Sequence, residues 1–218
     1  MLITLEGIDG SGKSLLLNKF KTEFSTNEQA VFTSEPYSET ETNDIIRDLL
    51  QQENVDPSRL LYLYISNHIS HVESLIRPKL NQGKTIFCDR YYDSMLVYQS
   101  TELDSVLDKS EEPLLTKDTN LVRFFDEFQN IGGFQIEPDI TFYLDISPDV
   151  ALDRITANRE NIDRFETKNQ LTEMAKRYSR LCEEKDRIVR IDGEQDPENV
   201  YRDCIDVLEH QGVLPFKG

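Results

Sequence analysis

The sequence predicts an α/β fold, a five-stranded parallel sheet flanked by helices on both faces, of the phosphate-loop kinase type with a short lid. Three observations carry this expectation. Gly7-Ile8-Asp9-Gly10-Ser11-Gly12-Lys13-Ser14 fits G-x-x-x-x-G-K-[ST] between a strand-like run and a helix-like one. Short apolar runs then alternate with helical patterns, as in a parallel sheet joined by crossover helices. A chain of 218 residues suits one such domain and is short for two, so residues 1–218 are read as a single domain.

Leu2-Ile3-Thr4-Leu5 reads as the first strand, and the helix pattern begins near Lys13. Between them, glycines let the backbone curl so that successive N–H groups converge on an anion, and the helix adds the positive end of its dipole. Gly7, Gly10, Ser11, Gly12, Lys13, Ser14 and Leu15 are therefore expected to bind nucleotide phosphates. Lys13 would reach the β- and γ-phosphates and the Ser14 hydroxyl would hold Mg²⁺.

Ala30-Val31-Phe32 reads as the second strand and leads to Thr33-Ser34-Glu35-Pro36. Ile45, Ile46, Leu49 and Leu50 then recur at helical spacing, with Arg47 off the apolar stripe. Asp56-Pro57 is a helix start, an N-cap before proline, and Gly83 a stop, with Pro78 expected to kink the helix near its end. Leu61, Tyr64, His68, His71 and Leu75 share one face of it. Two histidines and a tyrosine on that face imply that its middle borders a polar cavity.

Thr85-Ile86-Phe87-Cys88 is the third strand, closing on Asp89, an acid after a buried strand of the kind that fixes Mg²⁺ directly or through water. Thr101 to Asn120 is polar, acidic and aperiodic, and is read as a surface insertion. Ile140 to Leu144 is the fourth strand. A helix from about Pro148 leads to Arg154, Arg159, Asp163 and Arg164, an arginine-rich lid over about 154–166. A helix over Lys168 to Lys185, a strand at Ile188 to Ile191 and a helix over Pro197 to Gln211 complete the pattern.

Asp and Glu number 41 against 24 Lys and Arg, a formal net charge of −17. Such a surface repels nucleic acid and anionic lipid, so neither a polynucleotide nor a membrane is an expected partner. Cys88, Cys182 and Cys204 form no C-x-x-C pair, which fits a reducing cytoplasm and offers no cysteine metal site. With no apolar run of membrane-spanning length, and a first strand that starts at once, a cytoplasmic protein is expected.

Several segments also stand in a telling order: Glu6 to Ser14 as E-G-x-D-G-x-G-K-[ST], then Glu35-Pro36 with Arg47 on the next helix. Asp89 to Gln99 follows, close to D-R-Y-x-x-S-x-x-A-Y-Q but with Val97 at the alanine position, then Pro138 to Asp145 as P-D-x-x-x-Y-L-D and Arg159 to Glu166 as R-x-x-x-D-R-[FI]-E. Over nearly the whole chain this resembles the thymidylate kinase family. The resemblance implies transfer of the γ-phosphoryl group of ATP to dTMP, with Mg²⁺ held by Ser14 and Asp89, giving dTDP and ADP for dTTP synthesis in a homodimer. It gives catalytic roles to Lys13, Asp89, Arg90 and the lid residue Arg159, with Arg164 second. Arg47 and Arg90 would clamp the acceptor phosphate, and Arg154 would lie beside adenine. Asp9 would meet the sugar 3′-hydroxyl; Glu35, Pro36, Ser94, Tyr98 and Gln99 would line the acceptor site, with Tyr64 and His68 beside the base. The acceptor phosphate is already ionised, so such chemistry needs charge placement and no general base.

This chain departs from the family pattern at several points. Gly10 stands where some members carry an arginine in the loop. The family's L-F-x-A-D-R-x-x-H helix reads here as Tyr64, Asn67, His68 and His71, so histidine replaces the base-contacting arginine. Ser34 replaces an arginine before E-P. The alternatives are a kinase for another pyrimidine deoxynucleoside monophosphate such as dUMP or a 5-modified form, a deoxynucleoside kinase using a carboxylate base, and a non-catalytic nucleotide-binding module.

Overall fold

The structure, a computed structural model, describes residues 1–52, 55–106, 136–158 and 166–214. Its sheet is five-stranded and parallel, in the order β2-β3-β1-β4-β5, with β1 Leu2–Glu6, β2 Ala30–Ser34, β3 Thr85–Asp89, β4 Ile140–Asp145 and β5 Ile188–Asp192. The central position of β1 sets the active end of the molecule. Its neighbours β3 and β4 lie on opposite sides, with Leu2 opposite Ile86 and Ile3 opposite Ile140. The loop after β1 therefore opens at the point where strand order reverses, the crevice where ligands of open α/β sheets bind.

Alternation along β1 decides which core each side chain joins. Ile3 and Leu5 face α1 (Lys13–Glu23) and the last helix, α8 (Pro197–His210), packing with Leu16, Phe20, Cys204 and Leu208. Leu2 faces the opposite layer, where Leu61, Ile65, Val72 and Ile76 meet Ile86 and Tyr91. That layer contains α2 (Glu41–Leu50), α3 (Pro57–His71), α4 (Arg77–Asn81) and α5 (Tyr92–Val106), with α6 (Pro148–Asn158) and α7 (Lys168–Glu184) beside it. Helices thus cover both faces.

Two boundaries differ from the sequence expectation. The helix from Asp56 is not continuous to about Gln82: α3 ends at His71, a π turn covers Val72–Ile76, and α4 follows. Pro78 has no N–H for the Ser74 carbonyl and its ring would crowd it, so the chain widens one turn earlier, where the Arg77 amide reaches the Val72 carbonyl. The insertion expected over 101–120 is helical at its start. Helix α5 carries on through Val106, and Thr101 and Glu102 are buried on it. The rest of that expected insertion, 107–120, and lid residues 159–165, Arg159 and Arg164 included, lie outside the described residues.

Candidate active site

The loop after β1 is tight enough to need its glycines. Gly7 has φ +144°, and a Cβ there would lie 2.8 Å from the Leu144 carbonyl oxygen. Gly10 has φ +79°, and a Cβ there would lie 2.7 Å from the carbonyl oxygen of Ala151 on α6. With α6 packed this close, an arginine side chain does not fit at this loop position without a shift of α6. Lys13 is buried, its ammonium donating to the carbonyls of Gly7 at 2.9 Å and Ile8 at 2.8 Å and to Ser11 Oγ at 3.1 Å. Burial, reinforced by Arg90, lowers its pKa to about 8 against the opposing pull of Asp9, Asp89 and Glu6.

Ser14 Oγ donates to Asp89 Oδ2 at 2.6 Å. The other oxygen, Asp89 Oδ1, is buried without a hydrogen-bond partner. A hydroxyl and a carboxylate with one uncommitted oxygen are the hard oxygen donors that Mg²⁺ takes alongside phosphate. The residues present fit that ion.

Arg90 follows β3 with φ +65°, the one described non-glycine residue in the left-handed region, which costs about 1–3 kcal/mol. Its amide is held by the Leu5 carbonyl at 2.9 Å, and the turn swings the guanidinium over the loop. There Nη1 donates to the Gly7 carbonyl at 3.2 Å and Ser94 Oγ at 3.1 Å, while Nη2 donates to Asp9 Oδ1 at 2.7 Å and Tyr98 OH at 2.9 Å. Tyr98 OH in turn donates to Asp9 Oδ2 at 3.0 Å. The compensating partners of Asp9 are thus Arg90 and Tyr98.

Glu35 is a second, largely buried carboxylate, its side chain 9% exposed. Its Oε1 receives His68 Nδ1 at 2.8 Å and His71 Nδ1 at 2.9 Å, and His71 Nε2 pairs with Thr33 Oγ1 at 2.8 Å. Burial alone would raise the Glu35 pKa; the charge and hydrogen bonds of the two histidines outweigh it and pull the carboxyl down to about 2. On the face of α3 expected to border a polar cavity, His68 and His71 are instead packed onto Glu35, while Tyr64 lines a cleft.

Two clefts open at this end of the sheet. The larger, about 760 Å³, is lined by Asp9 to Leu15, Ser34, Asp89 and Arg154, and reaches Gly193 and Pro197. Arg154 Nη1 bridges its walls, donating to the carbonyls of Gly10 at 3.3 Å and Gly193 at 2.9 Å. The smaller, about 200 Å³, is lined by Leu50, Tyr64, Tyr91, Ser94, Met95, Tyr98 and Gln99. Asp9, Glu35, Pro36 and Arg90 border both. Gln99 is buried and its Oε1 has no hydrogen-bond partner.

Most of the residues singled out in the sequence therefore converge on these two clefts. Gly7 contributes its carbonyl to Lys13 and Arg90. Two residues stand apart. Arg47 is exposed on α2 and lines neither cleft, because Asn43, Ile46 and Leu49 form that helix's buried side. His68 turns onto Glu35 and lines neither cleft. Sequence reasoning gave no role to Glu6, Tyr178 or the His71–Glu35 bond. Glu6 could have been found: like Asp89, it is an acid closing a buried strand.

The sequence matches the family model described as "Thymidylate kinase" over residues 5–204. A protein described as "Probable thymidylate kinase" from Natronomonas pharaonis is 33% identical, the match covering 96% of this chain and 97% of that one. One of the same description from Methanosarcina acetivorans is 34% identical over 99% of this chain and 96% of its own, and one from Halorubrum lacusprofundi is 35% identical over 95% and 97%.

Proposed function

This chain belongs to the thymidylate kinase family, and from that premise we propose that it transfers the γ-phosphoryl group of ATP to dTMP, releasing ADP and dTDP. The observation that carries the proposal is the pair of clefts that share Asp9 and Arg90. One holds the phosphate loop. The other is an apolar slot with one buried amide, Gln99, whose unpaired oxygen suits the N3–H of a pyrimidine. We further propose that residues 1–218 act as one domain in a cytoplasmic homodimer.

In this reading the loop amides and Lys13 hold the donor phosphates, and Arg154 flanks the adenine. Ser14 and Asp89 would hold Mg²⁺, which when bound supplies positive charge against the donor phosphates. Arg90 takes the acceptor phosphate, since a planar guanidinium matches its oxygens. A phosphate dianion there competes with Asp9 for Arg90, and Asp9 Oδ1 would then accept from the sugar 3′-hydroxyl while Oδ2 keeps Tyr98. An acceptor oxygen then attacks the γ-phosphorus as the bond to the β-bridging oxygen breaks and ADP leaves. Arg159 is proposed as the lid cation that stabilises the migrating charge. Arg47, exposed on α2, is not assigned to the clamp.

One observation favours a broader acceptor range. His68 stands where the family pattern has its base-contacting arginine, and it is bonded to Glu35. With the arginine gone, discrimination at the base rests on Gln99 and the apolar walls, so dUMP and 5-modified deoxyuridylates are second acceptors. The test of both is ADP release with ATP, Mg²⁺ and a panel of nucleoside monophosphates, thymidine included. Turnover of dTMP is expected, with dUMP slower. Phosphorylation of thymidine but not dTMP would establish a nucleoside kinase, and ATP binding with no turnover a binding module.

A further inference from the structure

Beneath the loop lies a buried carboxylate to which the chemistry above gives no part. Glu6, the last residue of β1, is 1% exposed. Its Oε1 accepts from the Tyr91 amide at 2.8 Å and the Ser94 amide at 3.3 Å, so it occupies the N-terminus of α5. Its Oε2 accepts from Ser94 Oγ and, at 3.0 Å, from Tyr178 OH on α7. Tyr178 OH also lies 2.8 Å from Ser94 Oγ. The same Ser94 oxygen receives Arg90 Nη1 at 3.1 Å. A chain of contacts therefore runs from Glu6 through one hydroxyl to the guanidinium between the two clefts.

Hydroxyl arithmetic gives this chain a direction. Ser94 has one proton and accepts through its lone pairs. While Glu6 is ionised it is acceptor-only, so Ser94 donates to it and offers Arg90 its lone pairs. When Glu6 is protonated it must itself donate, and the nearby oxygens are those of Ser94 and Tyr178. Donation to Ser94 turns that hydroxyl's own proton toward Tyr178 and fills its second lone pair, so Arg90 then shares the oxygen with another donor.

We propose that Glu6 is a positioning residue of the phosphoryl transfer, holding Arg90 in place through Ser94 in its ionised state and loosening it when protonated. The change falls in a useful range. Burial, with the charge of Asp93 added, pushes the Glu6 carboxyl up to about 7, against the Ser94 hydrogen bond, Arg90 and the Tyr91 amide. The charged and titratable groups facing it are Asp93 and Arg90 at the start of α5, Tyr178 on α7, Lys13 at the start of α1 and Cys88 on β3. Asp93 is itself held by Arg187 at 2.7 Å, and His68 and His71 face Glu35 instead.

The inference rests on the dTMP kinase reading, and its test separates the two. Glu6→Gln should lower kcat/KM for dTMP at least tenfold while moving KM for ATP less than twofold. It should also remove an ionisation near pH 7 from the wild-type pH profile. The acceptor phosphate's own ionisation, near pH 6, remains in every variant. Tyr178→Phe, which takes one donor from Glu6, should move the ionisation to higher pH. An unaltered profile in Glu6→Gln, or an equal loss toward ATP, overturns the inference; should that variant fail to fold, an unmoved profile in Tyr178→Phe does so. If the wild-type protein does not turn over dTMP, the functional reading fails first. Glu6 is then judged by NMR: the ¹⁵N guanidinium resonance of Arg90 must follow an ionisation near pH 7 that Tyr178→Phe displaces, and a resonance that ignores pH overturns the positioning role.

Discussion

Two residues of the site, Lys13 and Glu35, carry charges largely shielded from water. Lys13 carries its ammonium inside the protein, its pKa lowered by burial from 10.5 to about 8. A cation depressed in the folded state opposes folding fully below the folded value, and that opposition lifts between pH 8 and 10.5, where the unfolded chain binds more protons. Lys13→Met should therefore lower kcat on the order of 10²–10³, the loss typical of one preorganised electrostatic contact. The difference in stability between the two proteins should shift toward wild type as pH rises from 8 to 10.5, measured by urea unfolding. Glu35 works in the opposite sense. Its carboxyl, at about 2, is depressed below the unfolded value of 4.5, so its stabilisation is whole above pH 4.5 and lost as pH falls toward 2. Glu35→Gln should cost on the order of 3 kcal/mol near neutral pH, and the gap to wild type should close in acid. Neither effect was legible as such in the sequence. The loop pattern marked Lys13 and the E-P pair marked Glu35, but only the fold buries one and brings two histidines to the other.

At the element scale, one side chain of α3 ties down the segment that leads into α2. Asn67 Oδ1 accepts from the Tyr37 amide at 2.6 Å, and Nδ2 donates to the Tyr37 carbonyl at 3.0 Å and to Thr40 Oγ1 at 2.6 Å. Thr40 is the N-cap of α2, accepting from the Asn43 amide. Asn67 thus satisfies the backbone of the segment that carries Glu35 and Pro36 into the site. Asn67→Ala would leave the Tyr37 amide and carbonyl without these bonds in a buried place, at roughly 1–3 kcal/mol for each group. A loss of about 2–5 kcal/mol in chemical denaturation is expected, with a rise in KM for dTMP. A loss under 0.5 kcal/mol would show that water replaces the side chain. The stripe of Tyr64, His68 and His71 was legible because it has helical period, as was the link from Pro78 to a break. The form of the break was not: a kink expected at the end of the helix is a π turn before it, because the missing N–H is felt one turn upstream. Arg47 is the converse case: its place off the apolar stripe already set it on the exposed side of α2, while the motif pointed it at the acceptor phosphate.

The whole molecule is organised by the reversal of strand order at β1. The sequence could place a phosphate loop at the first strand–helix junction and count five strands, but the order β2-β3-β1-β4-β5 depends on pairings across more than 130 residues, such as Leu5 with Phe142. That order is what sets Asp9 and Arg90 between two clefts, since β1 and β3 are neighbours and the residues after both strands meet. The arrangement has a consequence for binding. If both clefts fill together, adenosine and thymidine joined through a polyphosphate should occupy them at once. Linking turns the second binding step into an intramolecular one, so the linked compound should bind about 10²–10⁴ times more tightly than ATP or dTMP alone. A chain of net charge −17 gains nothing from its overall field in holding such a polyanion, so the gain must come from the cations around the shared wall. Arg90→Ala should therefore remove most of it, whereas a substitution of exposed Arg47 should remove little. Titration calorimetry with the linked compound, ATP and dTMP measures each. A linked compound no tighter than ATP would mean that the clefts do not fill together, and direct transfer between two bound nucleotides would have to be abandoned.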